Sequence, residues 1–137
     1  MSSPGILSTE YNRISKLLLD FNDAIMFLKD VFLGKNIYEN DVVLSWMNTV
    51  RLVLADLLYP DKSKDDLNIP RSALDEVGKL LKSDQRLRHD LEVLYERLTP
   101  EGIKRGLTDK DFAILDRVAS SLSESAAQTF RKIWRAG

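Results

Sequence analysis

The sequence predicts an all-α protein: a single helical bundle of four long helices plus one or two short ones, with the first two paired as an antiparallel hairpin. Three observations carry this reading. Every apolar pattern in the chain recurs with the helical period. Prolines and glycines stand at segment boundaries and seldom within them. No alternating, β-branched run competes as a strand. With 137 residues, of which 44% are apolar, the chain is the size of one ordinary domain and can bury roughly two-thirds of its unfolded surface. Residues 1–137 are therefore read as one domain.

The elements follow in order. Pro4 and Gly5 mark residues 1–7 as a loose lead-in, Ser8 or Thr9 can cap a first helix, and Gly34 can end it. Ile14, Leu17, Leu18, Phe21, Ile25, Leu28 and Phe32 fall on one stripe about 100° wide. Asn40 or Asp41 can cap a second helix that runs to Tyr59. It places Val43, Trp46, Met47, Val50, Val53, Leu54 and Leu57 on one face. The connection between these two helices is short, which predicts antiparallel neighbours. Residues 60–69 are charged, open on a proline and form the main loop. Pro70 suits the first turn of a third helix, where its missing N–H costs nothing; Ala73, Leu74, Val77 and Leu81 hold it. Ser83 can cap a fourth, with Leu87, Leu91, Leu94 and Leu98 in line. Thr99, Pro100 and Glu101 read as cap, first helical residue and N-terminal acid of a single turn that ends by Gly106. Thr108 to Asp111 matches a capping box with Asp in place of Glu. Phe112, Leu115, Val118, Ala119, Leu122, Ala126, Phe130 and Ile133 then hold one phase for about 26 residues, near 39 Å of helix. The serines at 120–125 are the place where that helix could kink.

Composition narrows function. There is no cysteine, so disulfides, thiolate metal sites and cysteine nucleophiles are excluded. Twenty Lys+Arg against 21 Asp+Glu give a net charge of -1, which is not the strongly basic footprint of a dedicated nucleic-acid binder. Uninterrupted apolar runs are only a few residues long, far from the roughly 18 of a membrane span. The first residues lack the basic and apolar regions of a leader. The expected setting is the cytoplasm, without membrane contact.

Few residues point to catalysis. His89 is the only histidine. It lies off the leucine stripe with Glu92 and Glu96, but a carboxylate-bridged di-metal bundle needs two histidines. The small helical ribonucleases of the HEPN family carry an arginine separated from a histidine by four to six residues; the corresponding positions here are Lys82, Ser83 and Asp84. The glycines are scattered and form no phosphate-binding loop. Acid pairs such as Asp20/Asp23 and Asp109/Asp111 sit on a helix surface or at a helix start, where negative charge needs no catalytic reason. The expectation is a non-enzymatic protein with no cofactor and no bound metal.

Two constellations remain. The first is apolar excess: 13 of the 20 residues from 14 to 33 are apolar, where a one-sided helix needs about 10. Leu19, Met26 and Leu33 recur every seven residues, roughly 140° from the centre of the main stripe, with Phe27 between the two. These four residues are the expected contact for a protein partner or a second copy of the chain. The second is the basic stretch holding Arg131, Lys132, Trp134 and Arg135, with no acid from 126 onward. Its aromatics can stack on bases, and its charges equally complement a helix C-terminus. Leu107-Thr108-Asp109 and Leu122-Ser123-Glu124-Ser125-Ala126 resemble short segments of winged helix-turn-helix regulators, which would imply DNA binding, but an unbroken apolar phase crosses the turn that such a motif requires. The reading is a helical interaction module, an adaptor or small accessory subunit that binds by apolar helix packing. The alternative is a small nucleic-acid-binding subunit of a ribonucleoprotein or DNA complex that uses the basic last helix.

Overall fold

A computed structural model describes residues 4–34, 38–59 and 71–136. The expected main loop at 60–69 and the role of Pro70 lie outside them. Within them every regular element is a helix, six packed together: α1 (Pro4–Phe32), α2 (Asn40–Leu58), α3 (Arg71–Ser83), α4 (Gln85–Arg97), α5 (Pro100–Ile103) and α6 (Asp109–Ala136). Two of them, α1 and α6, are 29 and 28 residues long. α2 is 19 residues long, and α3 and α4 are 13 residues each.

Several boundaries differ from expectation, each for a local reason. Residues 4–7, read as a loose lead-in, are helical; Pro4 sits at the first position, where proline is tolerated. Glu39, rather than Asn40 or Asp41, is the N-cap of α2, and only its backbone carbonyl accepts, from the Val42 and Val43 N–H groups. Ser83 ends α3 and donates back to the Leu80 carbonyl. The cap of α4 is Asp84, whose carboxylate accepts from the Leu87 N–H at 3.0 Å. The α5 turn forms as expected, with the Thr99 hydroxyl accepting from the Gly102 N–H at 3.0 Å.

The start of α6 is bound most heavily. The Thr108 N–H donates to Asp111 Oδ2 at 3.0 Å and the Asp111 N–H donates to Thr108 Oγ1 at 3.4 Å. This is the reciprocal box that the sequence implies. Arg97, at the end of α4, grips the same carboxylate with two bonds of 3.1 and 3.2 Å. Gly106 turns the chain between them at φ +78°, a region that side chains disfavour. Beyond this point α6 runs without a break through its serines; the Ser125 hydroxyl donates to the Ser121 carbonyl at 3.2 Å, which satisfies it inside the helix.

Contacts run from α1 to α2, α2 to α4, α4 to α3, α3 to α6 and α6 back to α1, enclosing one apolar core. Phe21, Leu28, Leu54, Leu81, Leu91, Leu94, Phe112, Leu115 and Leu122 are fully buried in it. The Leu87, Leu91, Leu94 and Leu98 line of α4 is buried throughout, as its spacing predicts. Other expected core residues are only partly covered: Leu17, Leu18, Phe32, Val43, Trp46, Leu74 and Ile133 are half-buried, and Phe130 is half exposed.

Candidate functional site

Three surface features involve α1, because this helix has α2 on one flank and α6 on the other. Its main stripe faces inward, and the flanks hold the neighbours, so the remaining side faces outward. Leu19, Met26 and Leu33 lie there, 60%, 52% and 43% exposed. A seven-residue step returns to nearly the same side of a helix, about 10.5 Å further on. The three side chains thus form a row roughly 21 Å long. Phe27 does not join them. One residue further round the helix, it turns toward α2 and stacks on Trp46, with ring centroids 4.5 Å apart and planes at 14°.

The second feature is the α1–α6 flank. The helices run antiparallel, since Lys29 pairs with Asp116 at 3.0 Å and Tyr11 meets Phe130 at 5.5 Å between rings. A groove of about 470 Å³ lies between them, bordered by Tyr11, Leu18, Leu19, Ala126 and Phe130. It links the outward row of α1 to the exposed end of α6. At that end Phe130 and Trp134 stand four residues apart, and so do Arg131 and Arg135. One aromatic and one basic file therefore run side by side. Trp134 is 79% exposed. The four residues border a hollow of about 300 Å³. Arg131 reaches Glu124 at 3.7 Å; among the described residues Lys132 and Arg135 make no ion pair. The basic stretch, free of acids in sequence, has an acid beside it in space.

The third feature was not legible in the sequence. On the other flank of α1, a groove of about 390 Å³ runs between α1 and α2. Leu17, Phe27, Trp46 and Leu52 supply apolar walls, and the exposed Asp20 and Asp23 stand at its edge. The i,i+3 spacing of the two acids was visible; their position over an aromatic pair drawn from two helices was not.

Catalytic and metal chemistry find little here. His89 is exposed, and Glu92 of the same helix is bonded to Arg88 at 3.1 Å. Among the described residues no group of three or more His, Cys, Asp or Glu side chains is placed to hold a metal ion. Among the described residues one acid departs clearly from the ordinary range: Asp84 is held below it by the Leu87 N–H and then by the Arg117 guanidinium, which donates at 2.8 Å. Those partners are the N-cap bond and the α4–α6 bridge, so the shift belongs to folding. Among the described residues no helix is long and apolar enough to cross a membrane. Comparison with protein-family models, with curated proteins and with solved structures finds no match.

Proposed function

We propose that the protein is a non-enzymatic interaction module, an adaptor or small accessory subunit, that binds a helix of another protein along the outward side of α1. The observation that supports this most is the row of Leu19, Met26 and Leu33. Three large apolar side chains stay exposed at heptad spacing on a helix whose inward stripe already packs against the core. A soluble chain gains nothing from such a row unless something covers it. A helix laid along it meets one knob every two turns, the periodicity that helix-in-groove recognition uses. Met26 at the centre adapts to the partner's shape. In this reading α1 and α2 form an antiparallel hairpin, and Phe27, stacked on Trp46, stiffens the platform from behind. The setting proposed is the cytoplasm.

The test is capture of a partner by the wild type and by Met26→Lys/Leu33→Glu. Both sites are exposed, so the double variant keeps its fold. A specific partner held by the wild type and lost by the variant, while variants elsewhere on the surface retain it, supports the proposal. Equal capture by both proteins refutes it. The nucleic-acid reading is the weaker second. Its support is Trp134 flanked by two arginines, and against it stand the Arg131–Glu124 pair and the net charge of -1.

A further inference from the structure

The exposed end of α6 and the α1–α2 groove are complementary in both shape class and charge, and they lie on one chain. We propose that the Phe130/Trp134/Arg131/Arg135 end of one copy docks into the α1–α2 groove of a second copy, a head-to-tail self-association separate from the partner row on α1.

The end of α6 offers aromatic surface beside two cations: Phe130 and Trp134 are 50% and 79% exposed, and Arg135 and Arg131 are exposed beside them, Arg131 in a long 3.7 Å contact with Glu124 that docking would exchange for the groove's carboxylate. The groove offers the converse. Its walls are the Phe27–Trp46 stack with Leu17 and Leu52, and Asp20 and Asp23 stand exposed at its edge. Among the described residues neither aspartate has an ion-pair partner. The spacings agree. The arginines are four residues apart and rise about 6 Å along their helix, while the aspartates are three apart and rise about 4.5 Å. Each guanidinium can therefore face one carboxylate while the indole enters the apolar groove. A planar guanidinium suits both the carboxylate and the neighbouring aromatic faces.

The contact cannot form within one chain. α6 is continuous to Ala136 and lies along the opposite flank of α1, with Phe130 fixed beside Tyr11. The groove opens on the α2 side, around residues 17–27. The occupant must therefore come from another molecule. Tip and groove are different surfaces, so the contact is heterologous and leaves a free tip and a free groove unless a ring or a reciprocal pair closes. Two aromatics that bury roughly 150–250 Å² each when fully covered make a contact smaller than the about 1,200 Å² of a stable interface. The association is weak, appears at high concentration, and is sensitive to salt because its charges are exposed.

The experiment is sedimentation of the full chain from about 10 µM to about 1 mM, at low and high salt, with Trp134→Ala as the tip variant and Asp20→Lys/Asp23→Lys as the groove variant. All three substituted residues are exposed, and retention of the fold is checked by circular dichroism. The wild type is expected to associate reversibly, and less so in salt. Each variant alone is expected to associate at least tenfold more weakly. A mixture of the two is expected to recover a 1:1 pair, because one variant keeps its groove and the other its tip. A wild type that stays monomeric over the range overturns the proposal, as does association that both variants leave intact. Two weakened variants that do not pair when mixed also overturn it. So does a wild type that remains monomeric while binding a single-stranded oligonucleotide through Trp134, which would assign the tip to nucleic acid. Met26→Lys/Leu33→Glu is expected to leave self-association unchanged, so this proposal and the partner reading fail independently.

Discussion

Phe112 and Phe130 lie eighteen residues apart on α6, five full turns, and so share one phase; yet the first is 2% and the second 50% exposed. Phe112 is overlaid by α1, with the Lys29 ammonium 5.9 Å above its ring. Phe130 lies near the open end of the same helix, with Tyr11 beside it. Trp46 shows the same effect on α2: it shares the angular position of the buried Val50 and Leu57 but sits in the first turns, against Phe27 and Tyr38. Trp46→Ala is therefore expected to cost about 1–2 kcal/mol, the loss of one stacked pair and part of the ring's burial. Phe21→Ala, at a fully buried position, is expected to cost about 3–5 kcal/mol. Urea unfolding of both variants measures the difference. Asp84 offers a second test at this scale. Its carboxylate is held below the ordinary range by the Leu87 N–H and then by Arg117, so the folded state binds its proton less readily than the unfolded state does. Its contribution to stability is present above the unfolded value, near pH 4, and is lost as pH falls through the lower folded value. Asp84→Asn keeps a capping oxygen and loses the charge. Its deficit against the wild type is expected to shrink steadily as pH is lowered below about 4 in acid-unfolding titrations.

Between elements, the passage from α4 to α6 is the most tightly determined stretch. Arg97 binds the Asp111 carboxylate that also serves the α6 capping box, and its second nitrogen reaches the Gly106 carbonyl at 3.5 Å. The α5 turn fits underneath only because Gly102 has no side chain: a Cβ there would overlap the Arg97 carbonyl. Gly102→Ala must move backbone and is expected to destabilise by about 1–3 kcal/mol, as other forced overpacking does. Gly78 is the control. It lies within α3 and a Cβ there meets nothing within 4 Å, so Gly78→Ala is expected to stabilise by about 0.5–1 kcal/mol through helix propensity. Opposite shifts in thermal midpoint would confirm that the first glycine is required by contact and the second is not. The Thr99 cap and the Thr108/Asp111 box were legible in sequence because capping joins residues three apart. The Arg97 clamp was not, because its partner is fourteen residues away and the turn at Gly106 brings them together.

For the whole molecule, the closed circuit from α1 through α2, α4, α3 and α6 decides which apolar residues become core. It buries Ile14, Phe21, Ile25 and Leu28 of the main α1 stripe and leaves Leu19, Met26 and Leu33 outside. Their exposure yields a further prediction: Met26→Lys/Leu33→Glu is expected to change the unfolding free energy by no more than about 0.5 kcal/mol per site. A loss of several kcal/mol in denaturant titration would mean that the row is packed inside.

The helical class, the centres of the inward stripes, the Thr99 cap and the Thr108/Asp111 box were determined by the sequence alone, because each depends on residues within one or two turns of each other. The doubled apolar character of α1 was legible for the same reason. Only the tertiary structure decided which end of each stripe is covered, that Phe27 faces α2 rather than the outward row, and that Asp20 and Asp23 edge a groove with Trp46 in its wall. These depend on neighbours far away in the chain. Angular phase says which way a side chain points, and only the packing of distant helices says whether anything lies there to meet it.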